Sequence, residues 1–245
     1  MKKALLCTAL SSAMLLATPS YAELSANVSV TNNYIWRGLT QTINEAAVQG
    51  GVDYVSESGF YAGTWASNVA FDSDDAYSYE HDMYFGFAGD ASNFSYDIGY
   101  LYYNYDSNAG YDFSEVYGSL TFGNLGISLS LLAHAEPDEA PGEDFGFAQA
   151  SYLALDYSIP LASGAEVGFH LGRHGGDFTE AFNGVTDTYL DYSISLSKDG
   201  FTFSVSGTNL GSDDNGDGVE DYASMAPRDN DKIKFAVSYG LNFDL

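Results

Sequence analysis

The chain has 245 residues, with 34 Asp and Glu against eight Lys and Arg and a net charge of −26. Such acidity works against nucleic acid, whose phosphates it repels, and against anionic ligands gathered by long-range steering. The 20 Tyr and 16 Phe work against disorder, which goes with few aromatic residues.

The N-terminus reads as an export signal. Met1-Lys2-Lys3 is a charged start, Ala4 to Ala17 an apolar stretch, and Ser20-Tyr21-Ala22 a small-x-small site before Glu23. Residues 1–22 are therefore expected to be a signal peptide and residues 23–245 the mature domain. A membrane helix is the alternative, but the run is short and breaks at Pro19. The single Cys, Cys7, lies inside this segment, so the mature domain needs no disulfide despite export. Beyond it no run of about 18 apolar residues occurs that would make a membrane helix. Many Tyr and Gly with few Pro suit a sheet that meets lipid on one face and water on the other.

Period-2 alternation then runs through the chain. Leu24, Ala26, Val28 and Val30 share one face of the first strand, which is expected to continue through Tyr34, Trp36, Arg37 and Gly38 to a turn near Thr42–Glu45. Val48, Val52 and Tyr54 mark a second strand, and Gly59 to Val69 a third. Further strands are expected near 79–88, 94–105, 113–122, 125–134, 145–159, 165–173, 186–197 and 201–209. In the last one, Lys232 to Leu245, every odd position is apolar or aromatic, from Ile233 to Leu245.

Two resemblances sharpen this pattern. Ser238, Gly240, Phe243 and Leu245 resemble the C-terminal signal of bacterial outer-membrane barrels, with Leu where most end in Phe. The stretches Tyr34-Ile-Trp36-Arg37-Gly38-Leu-Thr40-Gln41-Thr42, Ala47-Val-Gln49-Gly50-Gly51 and Gly59 to Val69 resemble the TorF family of porins, a conserved-hypothetical group also called Gcw_chp. Tyr117-Gly-Ser-Leu and Asp191 to Gly200 resemble it too. The resemblance implies an outer-membrane barrel and fixes no transported solute.

The fold expected is all-β, a transmembrane antiparallel barrel of about 12 strands. Short connections, such as Gly123–Asn124 and Lys198–Gly200, alternate with long ones, such as 106–112 and 210–231. Short periplasmic turns and long external loops give that asymmetry in a Gram-negative outer membrane. A soluble β-sandwich is the alternative; one-sided apolar strands throughout leave too much apolar surface for it.

If the apolar face meets lipid, the opposite face lines a lumen. That places Arg37, Asp53, Asp82, Asp97, Glu115, Asp156, His170, Asp191 and Lys234 inside. Excess carboxylates favour cations in a pore, so the expected function is passive diffusion of small solutes with a cation preference. The alternatives are a closed structural or adhesive barrel filled by paired side chains and, less favoured, an outer-membrane hydrolase. Arg37 is expected to pair with Asp53 or Glu115. Trp36 and Trp65 read as interface anchors or packing groups, and inward Tyr84, Tyr103, Tyr117 and Tyr189 as weak candidates for stacking on sugars. No catalytic residue is singled out: His81, His134, His170 and His174 show no spacing of a metal pair or nucleophile–base set.

One loop carries a metal-like pattern. Asp213, Asn215, Asp217 and Asp221 fit D-x-N-x-D-G-x-x-D, which can turn several oxygens toward one Ca2+. Ser224 stands where an EF-hand has Glu, and Asp, Asn and Gly are ordinary turn formers. No other cofactor is expected. The partners expected are outer-membrane lipid, small solutes and lipopolysaccharide; loop acids such as Asp72, Asp75, Glu136 and Asp144 could bridge to its phosphates through divalent ions, but simple solvation is the favoured reading for them. Nucleic acid is not among them.

Overall fold

The computed structural model describes residues 23–72, 74–184, 186–214 and 216–245. The expected signal peptide lies outside these residues. Two short strands, β2 (Ile35–Trp36) and β3 (Leu39–Thr40), follow β1 (Glu23–Thr31) and pair with each other. Then come β4 (Ala47–Val55), β5 (Phe60–Asn68), β6 (Tyr79–Asp90), β7 (Ser95–Tyr105), β8 (Phe113–Phe122) and β9 (Leu125–Ala135). β10 (Ser151–Pro160), β11 (Glu166–Gly175), β12 (Thr188–Lys198), β13 (Phe201–Thr208) and β14 (Lys234–Asp244) complete the set, with one helix, α1 (Asp177–Asn183).

Apart from β2 and β3, the strands form one closed antiparallel barrel of 12. Each stave pairs with its neighbour in sequence, and the seam joins β1 to β14, with Ala26 opposite Phe243 and Val28 opposite Leu241. Closure leaves no sheet edge with unpaired backbone groups. The twelve staves expected from alternation are the twelve observed, and the soluble-sandwich alternative falls with the closed sheet.

Alternation gives the barrel two unlike surfaces. Outward side chains stay exposed around the circumference, among them Val28, Phe85, Ile98, Leu155, Ile194 and Phe203. The connections are unlike as well. One end carries tight turns at 56–59, 91–94, 123–124, 161–165 and 199–200, here called the turn end. The loop end carries the longer segments 32–46, 69–78, 106–112, 136–150, 176–187 and 209–233, some with residues outside the described set.

Three expected elements differ. The first strand stops at Thr31 instead of running to Gly38. The Asn32 side chain takes over there, accepting from Val237 N at 2.6 Å and donating to Phe235 O at 3.3 Å. The chain then turns inward, because Arg37 and Gly38 both take positive φ, 48° and 80°. Two such residues between Trp36 and Leu39 make the tight turn of a hairpin. The stave expected from Phe145 begins only at Ser151; Ala148 has φ 61° and its N donates to Leu132 O at 2.8 Å, which breaks the alternation. Finally, the loop expected from His174 holds α1, and His174 itself is a buried residue of β11.

Candidate functional site: the barrel interior

The infolded segment 32–46 crosses the interior and divides it. Its hairpin is held by Gln41 N donating to Tyr34 O at 2.7 Å and by Thr40 Oγ1 donating to Asn33 Oδ1 at 2.7 Å. Its tip presses on β12 and β13: a Cβ on Gly38 would sit 2.6 Å from Thr208 Cγ2 and 2.7 Å from Asp191 Cβ. Only Gly combines that approach with a positive φ. Tyr34, Trp36, Arg37, Leu39, Thr40, Gln41 and Thr42 are all buried.

Arg37 is the hub. Its Nη2 donates to Glu115 Oε2 at 2.7 Å, and its Nη1 lies 3.2 Å from His174 Nε2. Its guanidinium lies 4.2 Å from the ring centres of both Trp36 and Tyr152. Flat, delocalised charge suits such stacking, and the carboxylate offsets its burial. Tyr189 OH donates to Arg37 O at 2.9 Å. Arg37 is therefore inside, as expected, and of its two expected partners Glu115 is the one it meets.

Aromatic rings fill the loop half around this hub. Trp36 packs on Tyr103, Phe113 and Phe182 with centroids 5.1–6.3 Å apart. Phe178 of α1 reaches Phe145 at 5.1 Å, so the short helix lids this cluster. Trp65 meets Tyr34 edge-on at 5.5 Å. Both Trp residues are thus interior packing groups. Of the four candidate tyrosines, Tyr103 and Tyr189 are buried here, while Tyr84 and Tyr117 are half-buried and pack against Val55, Tyr61 and Ala88.

The turn half is more polar on one side. On β9, β12, β13 and β14 its inner face is small and hydroxylic, with Ser128, Ser193, Ser195, Ser204 and Ser238 each half-buried. On the opposite wall Asp53 accepts from Asn27 Nδ2 at 3.3 Å and from the Tyr84 hydroxyl. Asp97 accepts from Tyr61 OH at 2.6 Å. Asp156 lies 2.8 Å from His170 Nδ1 and keeps 32 % of its side chain exposed. His170 bridges the halves, since its Nε2 lies 3.0 Å from Asp191 Oδ1 and 2.8 Å from Tyr152 OH.

Lys234 sits at the loop end, under the base of the infolded segment. It donates to Asn44 Oδ1 at 2.8 Å and to Arg228 O at 2.7 Å. Arg228 is buried, stacked 3.5 Å from the Tyr222 ring centre, and donates to Phe71 O at 2.9 Å. Asp82 is wholly buried, and next to it on the same face lies Glu80, also buried. Asp53, Asp82, Asp97, Glu115, Asp156, His170, Asp191 and Lys234 thus alternate with the exposed apolar positions of their staves, and Arg37 lies in the infolded segment. Glu80, Tyr152, His174 and Arg228 belong with them and were not singled out from sequence; Glu80 shares the parity of Asp82, and that signal was present.

The loop from 209 to 233 uses its acids locally. Gly218 N donates to Asp213 Oδ2 at 3.1 Å, Val219 N to Asp217 Oδ1 at 2.7 Å and Asp214 N to Asp221 Oδ2 at 2.5 Å. Asn215 lies outside the described residues. Among those described, no group of three or more His, Cys, Asp or Glu gathers in a way that would hold a metal.

A family model described as "Bacterial protein of unknown function (Gcw_chp)" matches residues 17–238. Among solved structures, the chain is similar to the NanC porin at 12% identity with a TM-score of 0.54, covering 91% of this chain and 100% of that one. It is also similar to the KdgM porin, at 8% identity with a TM-score of 0.50, covering 91% and 99%. No curated protein matches. At these identities the structural likeness concerns the fold: a closed, porin-like 12-strand barrel.

Proposed function

The chain belongs to the Gcw_chp family of bacterial proteins, and we propose that it is an outer-membrane barrel that passes small solutes, with a preference for cations. The observation that carries this is the pairing of two surfaces on one closed sheet. The outside carries exposed large apolar side chains on every stave but β5, and the inside of the turn half is lined by half-buried Ser with Asp53, Asp97 and Asp156. A sheet of that kind suits lipid outside and water inside. The porin likeness supports the same reading at the level of fold, and the TorF resemblance of the first three strands agrees with it. On this reading the turn end faces the periplasm, the segment 32–46 sets the narrowest point, and lipid is the first partner. Interior carboxylates then repel anions and admit neutral or cationic solutes. No residue is assigned a catalytic role.

The test is planar-bilayer recording of the purified, refolded barrel. We expect small unitary steps, a reversal potential on the cation side in a salt gradient, and larger steps when 33–45 is replaced by a short Gly-Ser linker. Absence of steps in the wild type together with exclusion of sugars from liposomes would overturn it. The second reading, a closed structural barrel, would then stand; what favours it is the burial of Tyr34, Trp36 and Arg37 across the lumen.

A further inference from the structure

The packed half of the barrel holds two carboxylates that its own side chains do not satisfy equally. Glu80 accepts from Tyr34 OH at 2.9 Å and from Tyr105 OH at 3.1 Å. Asp82 is 0 % exposed, and neither carboxylate oxygen has a hydrogen-bond partner among the described residues. The base of the infolded segment, Arg37, is committed to Glu115 at 2.7 Å. A buried carboxylate without a partner is costly.

The geometry points to a binding site for one hard divalent cation, of the Ca2+ class, between Asp82 and Glu80. Two residues apart on β6, both side chains project to the interior, with Cα atoms about 7 Å apart. A cation about 2.3–2.6 Å from one oxygen of each carboxylate fits that span. The donors are all oxygen, two carboxylates with the phenols of Tyr34 and Tyr105 beside them, which suits a hard ion and not a thiophilic one. Two negative charges call for a divalent one. Tyr34 belongs to the infolded segment, so a cation here would fasten that segment to the β6 wall. The site is separate from the 213–221 loop and does not depend on whether the barrel conducts.

The experiment refolds the mature barrel from urea into detergent with Ca2+ as the probe, followed by desalting and elemental analysis. Terbium luminescence excited through the neighbouring Tyr and Trp rings gives a second readout. We expect about one retained calcium per chain, a lower thermal midpoint after chelation, and sensitised terbium emission. Both signals should be lost in Asp82→Asn and kept in Asp217→Asn. A wild-type barrel that retains no calcium and gives no terbium emission overturns the inference, even if Asp82→Asn fails to fold. So does binding that survives in Asp82→Asn and disappears in Asp217→Asn.

Discussion

The two halves of the interior share the same staves but are built on opposite terms. Toward the loop end large rings and paired charges dominate: Tyr103 and Phe113 stack at 4.1 Å, and Arg37 meets Glu115 at 2.7 Å. Toward the turn end β12 and β13 contribute Ser195 and Ser204, one hydroxyl per inward position, half-buried. Continuous strands can do this because alternation fixes only which way a residue faces, while size and charge are chosen position by position. The loop half therefore carries the larger share of the packing, while the turn half combines half-buried hydroxyls with a small cluster of Val55, Tyr61 and Ala88.

Substitutions should separate the halves. The largest effect is expected from Arg37→Met, which strands Glu115 in a buried site and removes two stacking contacts. Breaking a buried pair this way costs about 3–5 kcal/mol, read as a lower urea midpoint of the refolded barrel. Gly38→Ala comes next: its Cβ meets Thr208 and Asp191 at 2.6 and 2.7 Å, on a backbone with φ 80°. The cost should be about 1–3 kcal/mol by strain, with the hairpin tip displaced and, in bilayers, a changed conductance. Ser195→Ala in the turn half should change stability by no more than about 0.5 kcal/mol. Equal losses for Arg37→Met and Ser195→Ala would erase the distinction.

The smallest effect concerns the rim. Slight burial pushes the Asp106 carboxyl up, but hydrogen bonds from Ser78 N at 2.5 Å, Ser78 Oγ at 2.8 Å and Tyr79 N at 3.1 Å outweigh it and hold its pKa below the ordinary value. A carboxyl lowered on folding stabilises above its unfolded pKa, and that contribution fades as pH falls through the folded one. Amide exchange at Ser78 and Tyr79 should therefore be best protected at neutral pH and lose protection in acid. Unchanged protection after acidification would show that the contact holds nothing.

Legibility in the sequence follows the same division. The staves were readable because one face is apolar from end to end, as in β14, where Phe235, Val237, Leu241 and Phe243 all stay exposed. Parity then placed Asp53, Asp97 and Asp191 inside. The infolded segment was not readable, because Tyr34 and Trp36 continue the apolar parity of β1 while lying in a hairpin; the clue was Arg37-Gly38 between two short pairs. α1 was missed for a different reason. Seven residues are too few for a helical period to show, and such a helix draws its stability from packing, here Phe178 on Phe113 at 5.4 Å. The pairing of Arg37 with Glu115 rather than Asp53 depended on where the hairpin goes, so no local pattern could decide it.

The infolded segment also carries a consequence for how the molecule is put together. It follows β1 early in the chain, yet its clamps arrive late: Asn230 Oδ1 accepts from Thr40 N at 3.0 Å, and Lys234 reaches Asn44 at 2.8 Å. Those contacts join residues 190 positions apart in sequence. The hairpin can be seated only when the last strand has come round to meet the first, so a seated hairpin is a molecular record that the cylinder has been completed.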